Sequence, residues 1–222
     1  MLGMGVLGAA GIVFGSKVQD FLERVTGPIT ARDGTGISSL LPTGRFRIYT
    51  VTGDLPSKSD AAYRLKVTGS VDKPLELTLS DLKAMPPALL TKDFQCVTGW
   101  RVHDVKWRGV RLADLLDRAG ADHAAGGIEF TSFDGAYTES LSMIQARRAD
   151  VLVAYEMEGK PISSMHGGPA RLYVAPMYGY KSCKWLQEIS VVARPRAGYW
   201  EDRGYDVDAW IGRSNGRGDQ PV

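Results

Sequence analysis

The chain has 222 residues, 44% of them apolar and 23% charged, with a formal net charge of +2. That length can bury a sizeable core without crosslinks, and the interleaved charges leave no basic stripe for a nucleic-acid backbone. Two cysteines, Cys96 and Cys183, allow at most one disulfide and form no CxxC pair, which excludes a disulfide scaffold.

In chain order, the sequence opens on an uncharged, Gly-rich apolar run, MLGMGVLGAAGIVFG, followed by charge from Lys17 onward. It is too short to span a bilayer comfortably, and it has the length of an export signal's apolar region without the preceding basic residue or a clear small-x-small cleavage site. We read it as a truncated export signal or an uncleaved anchor, which places the protein in the cell envelope; a packed terminal helix in a cytoplasmic protein is the alternative. Gly3, Gly5 and Gly8 fit GxGxxG, but no strand can precede a motif starting there. The RGD tripeptide at Arg217 lies in a polar, Gly-rich tail and is read as a chance occurrence. A Gly/Pro/Ser-rich connector from Gly27 to Gly44 divides the chain into an N-terminal segment, 1–44, and a single strand-rich α+β domain with a C-terminal tail, 45–222.

Within that domain, β-branched and aromatic enrichment predicts strands over 47–51 and 63–71, separated by Gly53, Pro56 and Ser57. The capping pair Thr78 and Asp81 starts a short helix that Pro86 and Pro87 stop. A strand from Leu89 ends at Cys96. Leu112, Leu115, Leu116 and Ala119 form one apolar helical face that Gly120 terminates. Further strands are predicted over 128–132, 151–157, 171–175 and 186–192.

Two constellations carry chemistry. In FQCVTGW, Cys96 is flanked by Phe94 and Trp100, and with Trp107 these rings form a low-dielectric wall that disfavours a thiolate unless a metal or cation stabilises it. Thiolate sulfur suits soft, redox-active metals, whereas His103, His123 and His166 show no zinc spacing. A lone protein ligand implies a metal that arrives inside a cofactor; the alternative is a cysteine that merely packs. In HGGPARLYVAPMYGYKSCKWL, from His166 to Leu186, Arg171 offers a planar fork and Lys181 and Lys184 point charges to an anion. Gly179 and Ser182 allow backbone amides to converge, and His166 precedes a close-approach turn. The alternative there is a strand flanked by solvated lysines.

FQCVTGWRVHDVKWRGVRLADLLDRAG, FTSFDGAYTESL, HGGPARL, YGYKSCKWL and GYWEDRGYDVDAW, in this order over 45–210, resemble the oxidoreductase molybdopterin-binding domain shared by sulfite oxidases and the catalytic subunit of periplasmic methionine-sulfoxide reductases. The resemblance implies the mainly β, α+β fold of sulfite oxidase. It also implies a plain molybdenum-molybdopterin cofactor (Mo-MPT) whose metal is held by the pterin dithiolene and by Cys96. Pterin contacts fall on Ser132, His166, Arg171, Ser182, Cys183 and Lys184, with Tyr49 and Thr50 on a further strand. Tyr137 is read as a proton donor or substrate positioner, against an ordinary turn tyrosine.

Departures from the family bear on substrate. RFRIYTVTG replaces the reductases' asparagine-rich stretch, His166 replaces their asparagine, and of an arginine-rich sulfite pocket only Arg101 aligns near Cys96, which leaves the substrate open. The implied reaction is two-electron oxygen-atom transfer on a small sulfite- or sulfoxide-type substrate. With no cytochrome or dimerisation domain and no CxxCH in the sequence, electrons pass to or from a separate partner such as a membrane haem protein, and the chain is expected to be a monomer. Two other readings stand beside this one: a cysteine hydrolase pairing Cys96 with His103 or His166, and a cofactor-less binding module.

Overall fold

The structure, a computed structural model, describes residues 46–218. The apolar N-terminal run, the connector and Asp219 lie outside them. Among the described residues no helix is long and apolar enough to cross a membrane.

The order is β1 (Leu65–Gly69), β2 (Leu75–Leu77), α1 (Leu79–Ala84), β3 (Ala88–Gln95), β4 (Arg101–Arg111), α2 (Leu112–Ala119), β5 (Gly127–Ser132), β6 (Thr138–Ser142), α3 (Met143–Ala146), β7 (Val151–Met157), β8 (Lys160–Pro161), β9 (Arg171–Val174) and β10 (Leu186–Val192). One sheet runs β2-β1-β10-β5-β6; the other runs β3-β4-β7-β8, with β9 also on β7. Every pairing is antiparallel except β1 with β10, whose register sets Lys66 beside Glu188. The result is an α+β fold dominated by strands.

Local chemistry explains the helices. Thr78 Oγ1 accepts from the Asp81 amide at 3.1 Å while Asp81 Oδ2 accepts from the Thr78 amide at 2.8 Å, a reciprocal box that satisfies two free donors of α1. Gly120 ends α2 in the left-handed region at φ 64°, where an added Cβ would meet Asp72 Oδ2 at 2.5 Å. Leu112, Leu115, Leu116 and Ala119 are buried in the larger apolar cluster beneath the first sheet. A second, aromatic cluster of Phe94, Trp100, Trp107 and Tyr173 packs on the other sheet and touches Cys96.

Three differences from the sequence reading matter. Residues 47–51 are irregular rather than a strand; the Tyr49 ring stacks on Trp100, and its carbonyl is taken by the Lys184 ammonium instead of a ladder partner. The 63–71 segment is a strand from Leu65 to Gly69, with Tyr63 fixed outside it by a 2.6 Å hydrogen bond to the Leu186 carbonyl. The eleven residues of β4 were not anticipated: RVHDVKWRGVR lacks clean alternation because register shifts fall between Lys92 and Phe94 and between Arg108 and Gly109. Such irregularities let charged residues interrupt the apolar face. The short strands β2 and β6 were also missed.

Leu115 is fully buried in the larger cluster. Leu115→Ala should therefore cost about 2–5 kcal/mol, read as a lower urea midpoint with an unchanged slope.

Candidate functional site

Four stretches and two later aromatics enclose a cavity of about 330 Å³: residues 46–51, the turn after β3, the loop before β6, and the chain from Met165 to Trp185, with Trp200 and Tyr205. Cys96 is the first residue past β3. Its amide donates to the Trp100 carbonyl at 2.9 Å and its carbonyl accepts from the Gly99 amide at 3.0 Å, a tight turn that needs Gly99 at φ 102°. The thiol is thus presented on a rigid strand end.

Phe94 stacks on Trp100 with ring centroids 5.7 Å apart, and Cys96 packs beside them. Burial pushes the Cys96 thiol above its ordinary pKa; the hydrogen bond with Thr98, whose Oγ1 lies 3.1 Å from Sγ, and the charges of Arg217 and Arg47 pull it the other way. In the free protein the sulfur is therefore held as a thiol, in wait of a stronger positive partner.

Arg171 is 3% exposed. Its guanidinium donates to the carbonyls of His166 and Ser182, each at 2.8 Å, and lies 5.4 Å from the Phe94 ring. Burial lowers its pKa to about 10, with Cys183 and tyrosines opposing, so it stays charged at neutral pH. Among the described residues no ion pair joins it to a carboxylate. A buried, uncompensated charge is costly, and the surface it shares with Cys96 is the cavity wall. An anionic group carrying a soft metal fits that pair of demands.

Lys184 also lines the cavity, and burial first, then Arg171, lowers its pKa to about 8. Burial followed by the charges of Arg171 and Lys184 lowers the pKa of His166, leaving a neutral imidazole against the edge of Phe46. The HGGP turn admits only glycines. A Cβ on Gly167 would stand 2.6 Å from that of Lys184, and one on Gly168 would stand 1.8 Å from the Ile162 carbonyl oxygen.

The cavity gathers Cys96, Tyr49, Thr50, Tyr137, His166, Arg171, Ser182 and Lys184 from distant parts of the sequence. Ser182 is buried, its hydroxyl accepting from the Val174 amide at 3.0 Å. The Tyr137 hydroxyl donates to the Tyr180 carbonyl at 2.5 Å, and burial holds its pKa far above the ordinary phenol value. Ser132 and Cys183 lie behind the wall: Ser132 Oγ accepts from the Asp134 amide at 3.1 Å, and Cys183 is fully buried.

Some expectations need correction. Lys181 is not a point charge for a ligand; it is buried in ion pairs with Glu139 and Glu201. Gly179 serves close packing, since a Cβ there would stand 2.5 Å from the Phe94 ring. Arg101 is not in the cavity wall; it bonds Gln95 and sits 3.6 Å from Asp93, whose carboxylate also holds His103 at 2.8 Å. His103 is likewise outside the wall.

Arg47, Met165, Trp200 and Tyr205 line the cavity and were missed. Tyr205 stands in the GYWEDRGYDVDAW stretch already singled out, so its motif was the available signal; Arg47 was hidden in the supposed strand. Among the described residues no three of His, Cys, Asp and Glu converge as a metal site.

The model of the oxidoreductase molybdopterin binding domain matches residues 52–200, and the chain belongs to that family of oxidoreductases. It is 36% identical over 162 residues to the uncharacterized oxidoreductase YuiH of Bacillus subtilis (strain 168), covering 72% of this chain and 81% of that one. It is 30% identical to the sulfite oxidase of Arabidopsis thaliana, over 66% of this chain and 46% of that one. To the putative protein-methionine-sulfoxide reductase subunit YedZ1 of Azospira oryzae it is 31% identical, over 76% and 63%. In structure it is similar to the sulfane dehydrogenase SoxCD of Paracoccus pantotrophus, with a TM-score of 0.58 and 25% identity over 63% of this chain and 40% of that one. The fold is thus of the sulfite-oxidase type, and the chain spans less than two thirds of each of these relatives except YuiH.

In cofactor-free protein, alkylation of Cys96 should be slow at neutral pH and accelerate only above the ordinary thiol value of 9.0, since its pKa is raised. Cys183 should react only on unfolding. Mass spectrometry of alkylated peptides checks both; rapid labelling of Cys96 at neutral pH would show that the pocket cations alone sustain a thiolate.

Proposed function

We propose that this chain is a molybdenum-molybdopterin enzyme performing two-electron oxygen-atom transfer on a sulfite- or sulfoxide-type sulfur, exchanging the electrons with a separate redox protein. The observation that carries the reading is the buried cation of Arg171, without a carboxylate partner, on the same cavity wall as the Cys96 thiol. Bound there, the cofactor supplies the redox and oxygen-transfer chemistry.

The chain's own residues divide the remaining work. Cys96, as a thiolate, would give the metal its protein ligand from a strand end flanked by an aromatic wall. Arg171 and Lys184 would hold an anionic group of the cofactor, and neutral His166 would offer a ring nitrogen to its heterocycle. Tyr49, 52% exposed, and Thr50 line the same pocket, with the Tyr49 carbonyl held by the Lys184 ammonium. Ser182 contributes through its carbonyl, which fixes the Arg171 fork, and through its remaining hydroxyl proton. Ser132 and Cys183 support the wall from behind. Tyr137, its proton committed to the Tyr180 carbonyl, shapes the substrate side rather than delivering a proton.

The electron partner in this reading is a membrane haem protein. The same reading takes the apolar run at 1–15 as an export signal or anchor that would hold the chain near that partner in the cell envelope.

Protein matured in a molybdenum-replete host should contain about one molybdenum and one pterin per chain, the stoichiometry of one cavity and one thiolate ligand. Cys96→Ser should keep its fold while losing turnover and most of the metal; near-normal turnover of that variant would refute the assignment.

Lys184 is a cation below pH of about 8 in the free protein and neutral above it. Pterin retention should accordingly weaken as pH rises through that value, and Lys184→Arg should preserve it at higher pH. Fluorescence of the released pterin measures both.

A further inference from the structure

We propose that Glu139 and Glu201 share a single proton over Lys181, and that this neutral knot positions three segments of the pocket wall. The inference goes beyond the cofactor assignment and holds whether or not that assignment does.

The geometry is a dry cluster of one cation and two carboxyl groups. Lys181 Nζ lies 2.7 Å from Glu139 Oε1 and 2.5 Å from Glu201 Oε1, and the three side chains are 0%, 0% and 1% exposed. Glu139 Oε1 also accepts from the Ser140 amide at 2.9 Å. The second oxygen of each carboxyl is buried without a hydrogen-bond partner. Gly198 brings the pair together: a Cβ there would stand 2.6 Å from Glu139 Oε1 and 2.7 Å from Glu201 Oε2. Two carboxylate oxygens cannot hydrogen-bond each other unless one carries hydrogen, and two anions against one cation leave a net charge in a medium that penalises it.

One proton resolves both problems at once. It cancels the excess charge and turns an orphaned acceptor into a donor toward its neighbour. Burial, with Lys181 opposing it and Glu201 adding to it, pushes Glu139 well above the ordinary carboxyl range. The other groups facing the cluster do not supply a second cation. Tyr137 donates to the Tyr180 carbonyl, Tyr180 donates to the Asp206 carbonyl at 2.6 Å, and Cys183 is a buried thiol.

The placement of the knot gives it a role. Glu139 follows Tyr137 by two residues at the start of β6; Lys181 sits between Tyr180 and Ser182; Glu201 adjoins Trp200. Each of those neighbours lines the cavity. Glu139, Lys181 and Glu201 are positioning residues: they tie three chain segments behind the wall without reaching a ligand.

Wild-type protein labelled with 13C in glutamate carboxyl carbons should show one protonated glutamate at neutral pH, and Glu139→Gln should abolish that signal while keeping the fold. Because the folded-state pKa is raised, the stability it confers is present at low pH and lost as pH rises. From 4.5 upward the pair should raise the wild-type unfolding constant about tenfold per pH unit, a slope absent from Glu139→Gln. Lys181→Met should lose amide-exchange protection together at 137–139, 179–182 and 198–205. Zero or two protonated glutamates, or identical pH slopes in wild type and Glu139→Gln, would overturn the shared proton; protection lost only around residue 181 would overturn the positioning role.

Discussion

A guanidinium sealed from water, with carbonyls but no carboxylate around it, is the constraint on which this structure turns. Arg171 sits at the start of β9, where the His166 and Ser182 carbonyls hold its fork from two different loops. Those bonds fix the HGGP turn and the YGYKSC turn relative to each other, so the cation and the wall it belongs to are one construction. Aromatic faces of Phe94 and Trp107 screen it in place of water. Holding a charge there costs stability, and the arrangement makes physical sense when a negative group completes it. The thiol of Cys96 poses the complementary demand, since burial keeps it protonated until a cation arrives.

The two demands also explain why the site is built on the smaller aromatic cluster rather than the larger aliphatic one. Aliphatic side chains would exclude water equally well, but they offer a cation nothing. Stacked rings give Arg171 negative faces and give the cysteine a dry flank. The rim differs: Lys184, Arg47 and the half-shielded His166 keep a polar edge at which an anionic or heteroatom-rich ligand can exchange water for protein partners.

Much of this is legible in the sequence alone, for identifiable reasons. The capping box at Thr78, the apolar face of α2 and the Gly120 stop are local signals, and local signals were read correctly. The convergence of Cys96 with His166, Arg171 and Lys184 was legible through the order of motifs, which only the complete set makes specific. What failed was non-local. The run FRIYTV has strand composition, yet its partners are the Lys184 ammonium and neighbouring aromatic rings, information that residues 46–51 do not contain. In sequence Lys181 and Lys184 read alike, as point charges for an anion; only tertiary pairing of Lys181 with Glu139 and Glu201 tells them apart. Bulges hid β4 by breaking its period.

The cavity wall is drawn from residue 46 to residue 205, and the strand pairs that align it span much of that distance, including the parallel match of β1 with β10. Such contacts close late, because a long loop must be ordered before they form. A nascent or truncated chain thus has parts of the wall but no receptacle: until Trp200 and Tyr205 have folded back, Cys96 and Arg171 face an open groove. A ligand that touches the whole wall is therefore enclosed only where residues 46 to 205 have folded together.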